Sequence, residues 1–184
     1  MKDVVNFYKD IPFNFTSDID FYLQNIKNSN QVLEYKDLHE LLIKNKSPFN
    51  GKLIKDVIEF GCGTGWLTNS LLYYYNKNLT SVDFTEKAIE VAKNVSQKLN
   101  KFANFKHCNI FEYEDNNNYD LVISLGVLHH TPNTNEGLKE CSKLLKKGSP
   151  FLLYLYYNFD NKNIFYKLLR KFSDLFRKII CILP

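Results

Sequence analysis

A glycine-rich turn that follows an acidic residue is the strongest chemical signal in the sequence. Residues 59–65 are Glu-Phe-Gly-Cys-Gly-Thr-Gly and lie between an apolar run and the start of a helical pattern. Gly61, Gly63 and Gly65 let the backbone turn sharply and approach a ligand with no side chain in between. The N-terminus of the following helix offers unpaired backbone N–H groups to the same ligand. Glu59 suits a ligand that carries positive charge.

An aspartate at the end of the next apolar run is the second signal. Asp83 follows Gly65 by 18 residues and ends the segment Leu-Thr-Ser-Val-Asp. A carboxylate at that place can accept hydrogen bonds from both hydroxyls of a ribose. Alone, an aspartate at a strand end more often caps a helix, and many strand-to-helix turns are rich in glycine. The two features together favour a nucleoside ligand with a positive charge.

A dinucleotide such as NAD is the main alternative ligand. Its fingerprint is G-x-G-x-x-G, in which the third glycine allows the helix to pack closely on the strand. Here the spacing is G-x-G-x-G, and Trp66 stands at the sixth position. Glu59 is also poorly suited to a pyrophosphate group. An NAD-dependent oxidoreductase is therefore disfavoured.

Short apolar runs alternate with helical patterns from about residue 55 onward. They predict strands at 56–60, 79–84, 104–108, 119–124 and 151–157, and helices at 66–75, 86–100 and 135–147. Runs without alternation are typical of parallel sheets that are covered on both faces. The order predicts an α/β fold with a doubly wound, mostly parallel sheet flanked by helices. Before it, Ser17 or Asp18 is expected to cap a short helix, and 31–45 has helical spacing.

Four segments resemble motifs of the class I S-adenosylmethionine-dependent methyltransferases. Residues 57–65 are similar to the first motif, 81–85 to the second, 118–132 to the region of the fourth strand and 144–148 to the approach to the fifth. The resemblance spans about residues 52–157, and His-His-Thr-Pro at 129–132 is similar to the small-molecule type that includes quinone-biosynthesis methyltransferases. It implies a Rossmann-like fold, S-adenosyl-L-methionine as cofactor, and a small-molecule or carrier-linked methyl acceptor.

The resemblance also implies roles for individual residues. The methionine end of the cofactor would be held by Glu59 and by the turn of Gly61, Cys62, Gly63, Thr64 and Gly65. Asp83 would hold the ribose, and Phe84 and Ile110 would enclose the adenine ring. Asn109 stands where the family often has an aspartate, and its amide oxygen can accept from the adenine amino group without charge assistance. Leu125 and Gly126 follow the fourth strand, at the binding edge of the sheet.

Two histidines are candidates for a general base at the reacting end. His129 and His130 follow the fourth strand, and a histidine there can take a proton near neutral pH. The alternative is that they cap or pack against the following turn. In the family the N-terminal segment commonly folds over the cofactor as a lid, and Tyr8, Phe13 and Phe15 are the residues here that could do so. The chemistry requires no metal.

The segment after the fifth strand departs from the family pattern. The family adds a helix and two further strands, whereas 161–184 remain here, so the sheet is expected to lack the last two strands. Apolar residues from Ile164 to Ile179 recur at helical spacing, and Lys and Arg make the other face basic. We expect this helix to pack on the sheet; the alternative is weak contact of 162–180 with an anionic membrane surface. The apolar edge at 151–157 predicts self-association.

Composition and charge narrow the remaining classes. The chain of 184 residues has a net charge of +4, a mild excess, and no nucleic-acid partner is expected. Its four cysteines lie far apart, which argues against a metal site and for a reducing, cytoplasmic location. We divide the chain into a helical or lid segment at 1–50, a cofactor-binding domain at 51–160 and an amphipathic helix at 161–184. The expected function is methyl transfer, and the alternative is a module that binds S-adenosylmethionine without turnover.

Overall fold

A parallel β-sheet forms the centre of the protein. The computed structural model describes residues 16–156 and 163–180. Its strands are β1 (Asp56–Phe60), β2 (Asn78–Asp83), β3 (Asn104–His107), β4 (Leu121–Leu125) and β5 (Phe151–Tyr154). They lie side by side in the order β3-β2-β1-β4-β5, and every pairing is parallel. The described residues thus form a doubly wound α/β fold with five strands, which confirms the predicted fold class.

Helices precede, connect and follow these strands. They are α1 (Ile19–Asn28), α2 (Lys36–Lys44), α3 (Trp66–Tyr75), α4 (Glu86–Lys98), α5 (Thr134–Lys143) and α6 (Ile164–Ile180). Asp18 caps α1, because its Oδ1 accepts a hydrogen bond of 2.8 Å from the backbone N–H of Phe21. The helix predicted at 31–45 is divided: Gln31–Glu34 forms a short 3₁₀ helix before α2 begins. The lid prediction for Tyr8, Phe13 and Phe15 lies outside the described residues.

The core consists of two apolar layers, one on each face of the sheet. Successive residues of β1 point to opposite layers: Val57 packs with Leu67 and Leu71 of α3, whereas Ile58 packs with Leu128 and Cys141 on the other face. All six side chains are essentially inaccessible to solvent. This two-sided burial explains why the strand sequences are apolar without alternation. The same packing holds the strands in place, and the predicted site residues lie at the carboxyl ends of these strands.

The Asp120 carboxylate joins chain segments at the amino ends of the strands, which is the edge of the sheet opposite the predicted site. Asp120 accepts hydrogen bonds of 2.9 Å from the backbone N–H groups of Lys55 and Asp56, just before and at the start of β1. Its other oxygen accepts a hydrogen bond of 2.8 Å from the Lys146 ammonium group, which lies in the segment before β5. Asp120 therefore anchors three segments at the edge of the sheet away from the predicted site.

The C-terminal helix α6 differs from expectation. Ile164, Phe165 and Phe172 are 76%, 63% and 60% exposed, so the sheet does not cover these residues as we had expected. No helix in the described ranges is long and apolar enough to cross a bilayer.

Candidate cofactor-binding site

A cavity of about 270 Å³ opens at the carboxyl ends of the strands. Parallel sheets bind ligands at this edge, where the connections from a central strand leave in opposite directions. Here β2 and β4 flank β1, and the segments that follow the strands form the walls. Of the fourteen predicted site residues, those that line the cavity are Glu59, Gly61, Cys62, Gly63, Asp83, Phe84, Asn109, Ile110, Leu125, Gly126 and His130.

The glycine turn between β1 and α3 adopts a backbone that only glycine tolerates easily. Gly61, Gly63 and Gly65 have φ angles of +74°, +53° and +78°, in the left-handed region. A Cβ atom on Gly61 would lie 2.2 Å from a methyl group of Val127, in the segment after β4. A Cβ on Gly65 would lie 2.6 Å from the Cβ of Ala92 on α4. Packing and backbone geometry together therefore require glycine at 61 and 65.

Glu59 is a buried carboxylate at the base of the cavity. It is 4% exposed, and its Oε2 accepts a hydrogen bond of 2.5 Å from the hydroxyl of Thr68 on α3. No salt bridge among the described residues involves Glu59. Burial raises its pKa to about 7, although the Thr68 hydrogen bond opposes the shift; the charge of Asp83 adds to it. A bound cation at this position would hold the carboxylate in its charged form.

Asp83 ends β2 and supports the glycine turn. One of its oxygens accepts a hydrogen bond of 2.8 Å from the Gly63 N–H, and the other accepts one of 2.8 Å from the Thr85 N–H. Burial raises the pKa of Asp83, and these two N–H groups oppose that shift. An ionised carboxylate has about four lone-pair sites, so each oxygen can accept a further hydrogen bond from a ligand hydroxyl. The turn-capping and ligand-binding roles are therefore compatible.

Two apolar side chains and an amide form the far wall of the cavity. Phe84 follows β2 and Ile110 follows β3, and both face the cavity, as a planar ring bound between them would require. Asn109 also lines it, but its Oδ1 accepts a hydrogen bond of 3.1 Å from the Phe111 N–H. The amide oxygen retains one lone pair for a ligand amino group.

Comparison with known proteins identifies the family of this chain. A family model described as a methyltransferase domain matches residues 54–179, more than half of the chain. The chain belongs to the class I S-adenosylmethionine-dependent methyltransferases. The match includes the glycine turn, Asp83 and the segment after β4, so the predicted family is confirmed.

Two curated relatives illustrate the distance between this methyltransferase domain and known sequences. The ubiquinone biosynthesis O-methyltransferase of Coxiella burnetii (strain Dugway 5J108-111) is 30% identical over 111 residues, which are 59% of this chain and 45% of the relative. The protein of the same name from Nitrosospira multiformis is 27% identical over 138 residues, 71% of this chain and 54% of the relative. The chain thus spans about half the length of these relatives.

Solved structures show the same fold. An S-adenosylmethionine-dependent methyltransferase from Clostridium acetobutylicum ATCC 824 matches with a TM-score of 0.54 and 19% identity, over 82% of this chain and 55% of that one. Magnesium protoporphyrin IX methyltransferase from Synechocystis PCC 6803, solved with bound S-adenosylmethionine, matches with a TM-score of 0.56 and 19% identity, over 79% and 71% of the two chains. At this identity the likeness shows the fold alone.

The two candidate histidines of the methyltransferase domain occupy different environments. His130 lines the cavity, whereas His129 lies outside it and packs against the rings of His130 and Tyr156, with ring centroids 4.0 and 4.3 Å away. Both ring nitrogens of His129 are buried and lack a hydrogen-bond partner in the described structure. Burial lowers the pKa of His129, and His130 lowers it further. These features fit a neutral packing side chain at His129 and leave His130 as the histidine that a ligand can reach.

Two of the predicted turn residues do not line the cavity. Thr64 is fully buried, and its carbonyl accepts a hydrogen bond of 3.1 Å from the Tyr22 hydroxyl on α1. Gly65 is the N-cap of α3 and packs against α4. Both residues support the turn on the side that faces away from the cavity. Within the described residues there is no group of three or more His, Cys, Asp or Glu side chains that could hold a metal ion.

Several cavity residues were not predicted from the sequence. Tyr154 and Tyr156 lie at and after the end of β5, Val127 follows β4, and Tyr35 comes from the segment before α2. The rule that ligands bind at the carboxyl ends of parallel strands could have indicated Tyr154, Tyr156 and Val127. Tyr35 precedes the first strand by 21 positions, and its local pattern predicts only a position within the helix expected at 31–45.

Proposed function

We propose that the cavity binds S-adenosyl-L-methionine and that the domain transfers its methyl group to an oxygen of a small-molecule or carrier-linked acceptor. The supporting observation is Glu59, a buried carboxylate without a counter-ion among the described residues, beside a turn that exposes backbone. It fits the ammonium group of the cofactor's methionine end. Asp83 would hold the ribose hydroxyls, and Phe84 and Ile110 would enclose the adenine. Transfer to oxygen is suggested by relatives named O-methyltransferases.

Positioning is the main contribution that these residues would make to the reaction. The cofactor would supply a methyl group bound to a sulfonium sulfur. The acceptor oxygen would form a bond to that methyl carbon in line with the C–S bond, which would break with its electron pair left on sulfur. Alignment of two reactants can lower a barrier by about 7–11 kcal/mol in favourable cases. Tyr35, Tyr154 and Tyr156 give the cavity an aromatic side on which a flat acceptor can stack.

His130 would accept the proton of the acceptor hydroxyl. It lines the cavity next to Thr131 and Tyr156, and a neutral imidazole is a suitable base near neutral pH. His129 would act as a positioning residue, because it packs between His130 and Tyr156 without reaching the cavity. The proton then leaves on imidazole, and the methylated product carries no additional charge.

Calorimetric titration tests cofactor binding. We expect S-adenosylmethionine and S-adenosylhomocysteine to bind and NAD not to bind. Glu59→Gln should weaken S-adenosylmethionine binding because the amide cannot balance the ammonium charge. Glu90→Gln, the same change at an exposed position on α4, is the matched control and should bind as the unmodified chain does. Binding of NAD in place of the two adenosyl ligands would reject the proposal.

Transfer of a labelled methyl group from S-adenosylmethionine into a cell extract tests turnover. We expect His130→Ala to reduce the rate by about 100-fold or more, the usual contribution of a general base, while cofactor affinity is retained. His39→Ala is the control, since His39 contacts the Tyr75 hydroxyl at 2.6 Å, outside the cavity. Cofactor binding without any label transfer would instead support the non-catalytic binding module.

A further inference from the structure

The apolar side of α6 faces solvent in the described structure. Ile164, Phe165, Leu168, Leu169 and Phe172 are each about half exposed or more, the least being 49%. Five large apolar side chains over about two and a half turns form a patch, whereas scattered single residues would need no explanation. A patch of this kind on a soluble fold marks an interaction surface.

The sequence of α6 separates apolar from charged residues completely. At 3.6 residues per turn, the nine Ile, Leu and Phe residues of 164–180 fall within an arc of roughly 160°. The five Lys and Arg residues fall within the remaining arc, together with Asp174. No polar residue interrupts the apolar arc.

The net charge of the whole chain resides on this helix. The chain has 24 basic and 20 acidic residues, and 164–180 contains five basic residues and one acidic residue. The rest of the chain therefore has 19 basic and 19 acidic residues and is neutral overall. The partner of the helix should thus offer an apolar layer bordered by negative charge.

We propose that α6 binds in the plane of an anionic lipid bilayer, with its apolar arc in the acyl-chain boundary and its Lys and Arg residues among the lipid phosphates. Amphipathic helices with a basic polar face bind at this interface by apolar burial combined with attraction to anionic lipids. A nucleic acid would satisfy the basic arc but would leave the apolar arc in water. A second copy of α6 would cover the apolar arc but would bring two basic arcs close together.

Co-sedimentation of the full chain with lipid vesicles tests the proposal. We expect binding to vesicles of phosphatidylcholine and phosphatidylglycerol, and binding that is about tenfold or more weaker to phosphatidylcholine alone, because about fivefold is expected for each basic residue near an anionic surface. High salt should weaken the binding to anionic vesicles by screening.

Two pairs of variants separate the apolar from the electrostatic contribution. Phe172→Glu should lower the partition coefficient by about tenfold or more, because it removes a large apolar group from the acyl boundary. Phe102→Glu, at a residue that is 81% exposed between α4 and β3, should leave it unchanged. Arg170→Glu with Lys171→Glu should lower it by at least about 25-fold. Lys36→Glu with Lys44→Glu, the same change in net charge on α2, is the control.

Circular dichroism establishes that each variant is folded, independently of cofactor binding and of the proposed function. The proposal is overturned if the folded chain ignores anionic vesicles or binds neutral ones equally well. It is also overturned if Phe172→Glu behaves as Phe102→Glu does. A dimer that Phe172→Glu dissociates, without vesicle binding, would assign the surface to a second copy. Binding of a nucleic acid that Phe172→Glu leaves intact would reject the lipid assignment as well.

Discussion

Two buried carboxylates, Glu59 and Asp83, line the cavity and would bind different groups of the proposed cofactor. Asp83 accepts hydrogen bonds from two backbone N–H groups, which support its charged form, whereas Glu59 accepts one from the Thr68 hydroxyl. The pKa of Glu59 is accordingly raised to about 7 by its burial. Near neutral pH, Glu59 is therefore a mixture of charged and neutral forms until a cation arrives.

Cofactor affinity should consequently depend on pH through Glu59. The ammonium group binds the ionised form, so binding releases a proton and affinity rises as the pH increases through about 7. A single group with that pKa gives a gain of about tenfold between pH 6 and pH 8. Calorimetry at the two pH values measures it. Glu59→Gln should remove the dependence, and an affinity that is flat in the unmodified chain would contradict the role of Glu59.

Gly126 is a matched control for Gly61, because its φ angle is similar but no atom lies near the position of its Cβ. Gly61 and Gly126 have φ angles of +74° and +72°, yet a Cβ would meet Val127 at 2.2 Å in the first case and nothing within 4 Å in the second. Gly126→Ala should cost about 1–2 kcal/mol of unfolding free energy from backbone strain. Gly61→Ala should cost about 1–3 kcal/mol more from overpacking. Urea titration measures both, and equal losses would show that the contact with Val127 is unimportant.

At the scale of elements, the site depends on contacts that lie behind it. The Tyr22 hydroxyl of α1 holds the carbonyl of Thr64, and Thr68 of α3 contacts both Glu59 on β1 and Ser81 on β2, at 2.5 and 2.9 Å. These bonds join four elements and the turn beneath the cavity. Preorganised supports of this kind keep binding groups in position without reorganisation on binding.

Asp120 supports the fold at the opposite end of the strands, and its contribution to the free energy of unfolding should depend on pH. Burial opposes ionisation of Asp120, but the Asp56 N–H, Lys146 and the Lys55 N–H together lower its pKa. Because the folded-state pKa lies below the ordinary value, this stabilisation is present at neutral pH and is lost as the pH falls below about 4. Asp120→Asn should cost about 1–3 kcal/mol at pH 7 and less at pH 3, because part of this stabilisation is lost there.

A matched change at an exposed ion pair is the control for Asp120. Asp20 pairs with Lys98 at 2.5 Å, but the two side chains are 78% and 46% exposed, and such pairs contribute little to stability. Thermal unfolding of Asp20→Asn should therefore match that of the unmodified chain at both pH values. If Asp120→Asn shows the same small effect, Asp120 does not anchor the strands.

Some elements and site residues could be predicted correctly from the sequence and others could not, and the difference has a physical cause. The bounds of β1 and α3 match the predictions, because an apolar run, three glycines and Trp66 delimit them. The fourth strand begins at Leu121 rather than at 119, since Tyr119 bonds instead with Leu144 and Lys146. The residues of the glycine turn and the strand ends could be named from local patterns. Tyr35 could not, because only tertiary packing brings it to the cavity.

At the scale of the whole molecule, two apolar surfaces are available for association. One is β5, which pairs with β4 on one side and is an outer strand of the described sheet, as the self-association prediction for 151–157 requires. The other is the apolar side of α6. Because the two surfaces have different chemistry, one substitution can separate their effects.

Sedimentation over a range of concentrations should show association of the full chain. Edge pairing at β5 uses backbone hydrogen bonds, so Phe172→Glu on α6 should leave it unchanged. Association through α6 should be lost in the same variant, because a carboxylate would be buried without a partner. A chain that is monomeric at every concentration would contradict the prediction for the β5 edge.

The contact between Gly61 and Val127 also limits how such a domain can diversify. The segment after β4 lines the cavity, on the side where we place the methyl acceptor. Val127, however, lies so close to the turn after β1 that we expect a larger side chain there to displace the backbone proposed to hold the cofactor. We therefore expect natural variants to explore positions around Val127 freely while its size stays within narrow bounds. Substitutions selected for new acceptors would then occur around Val127, while the proposed binding of the cofactor would limit changes at Val127 itself.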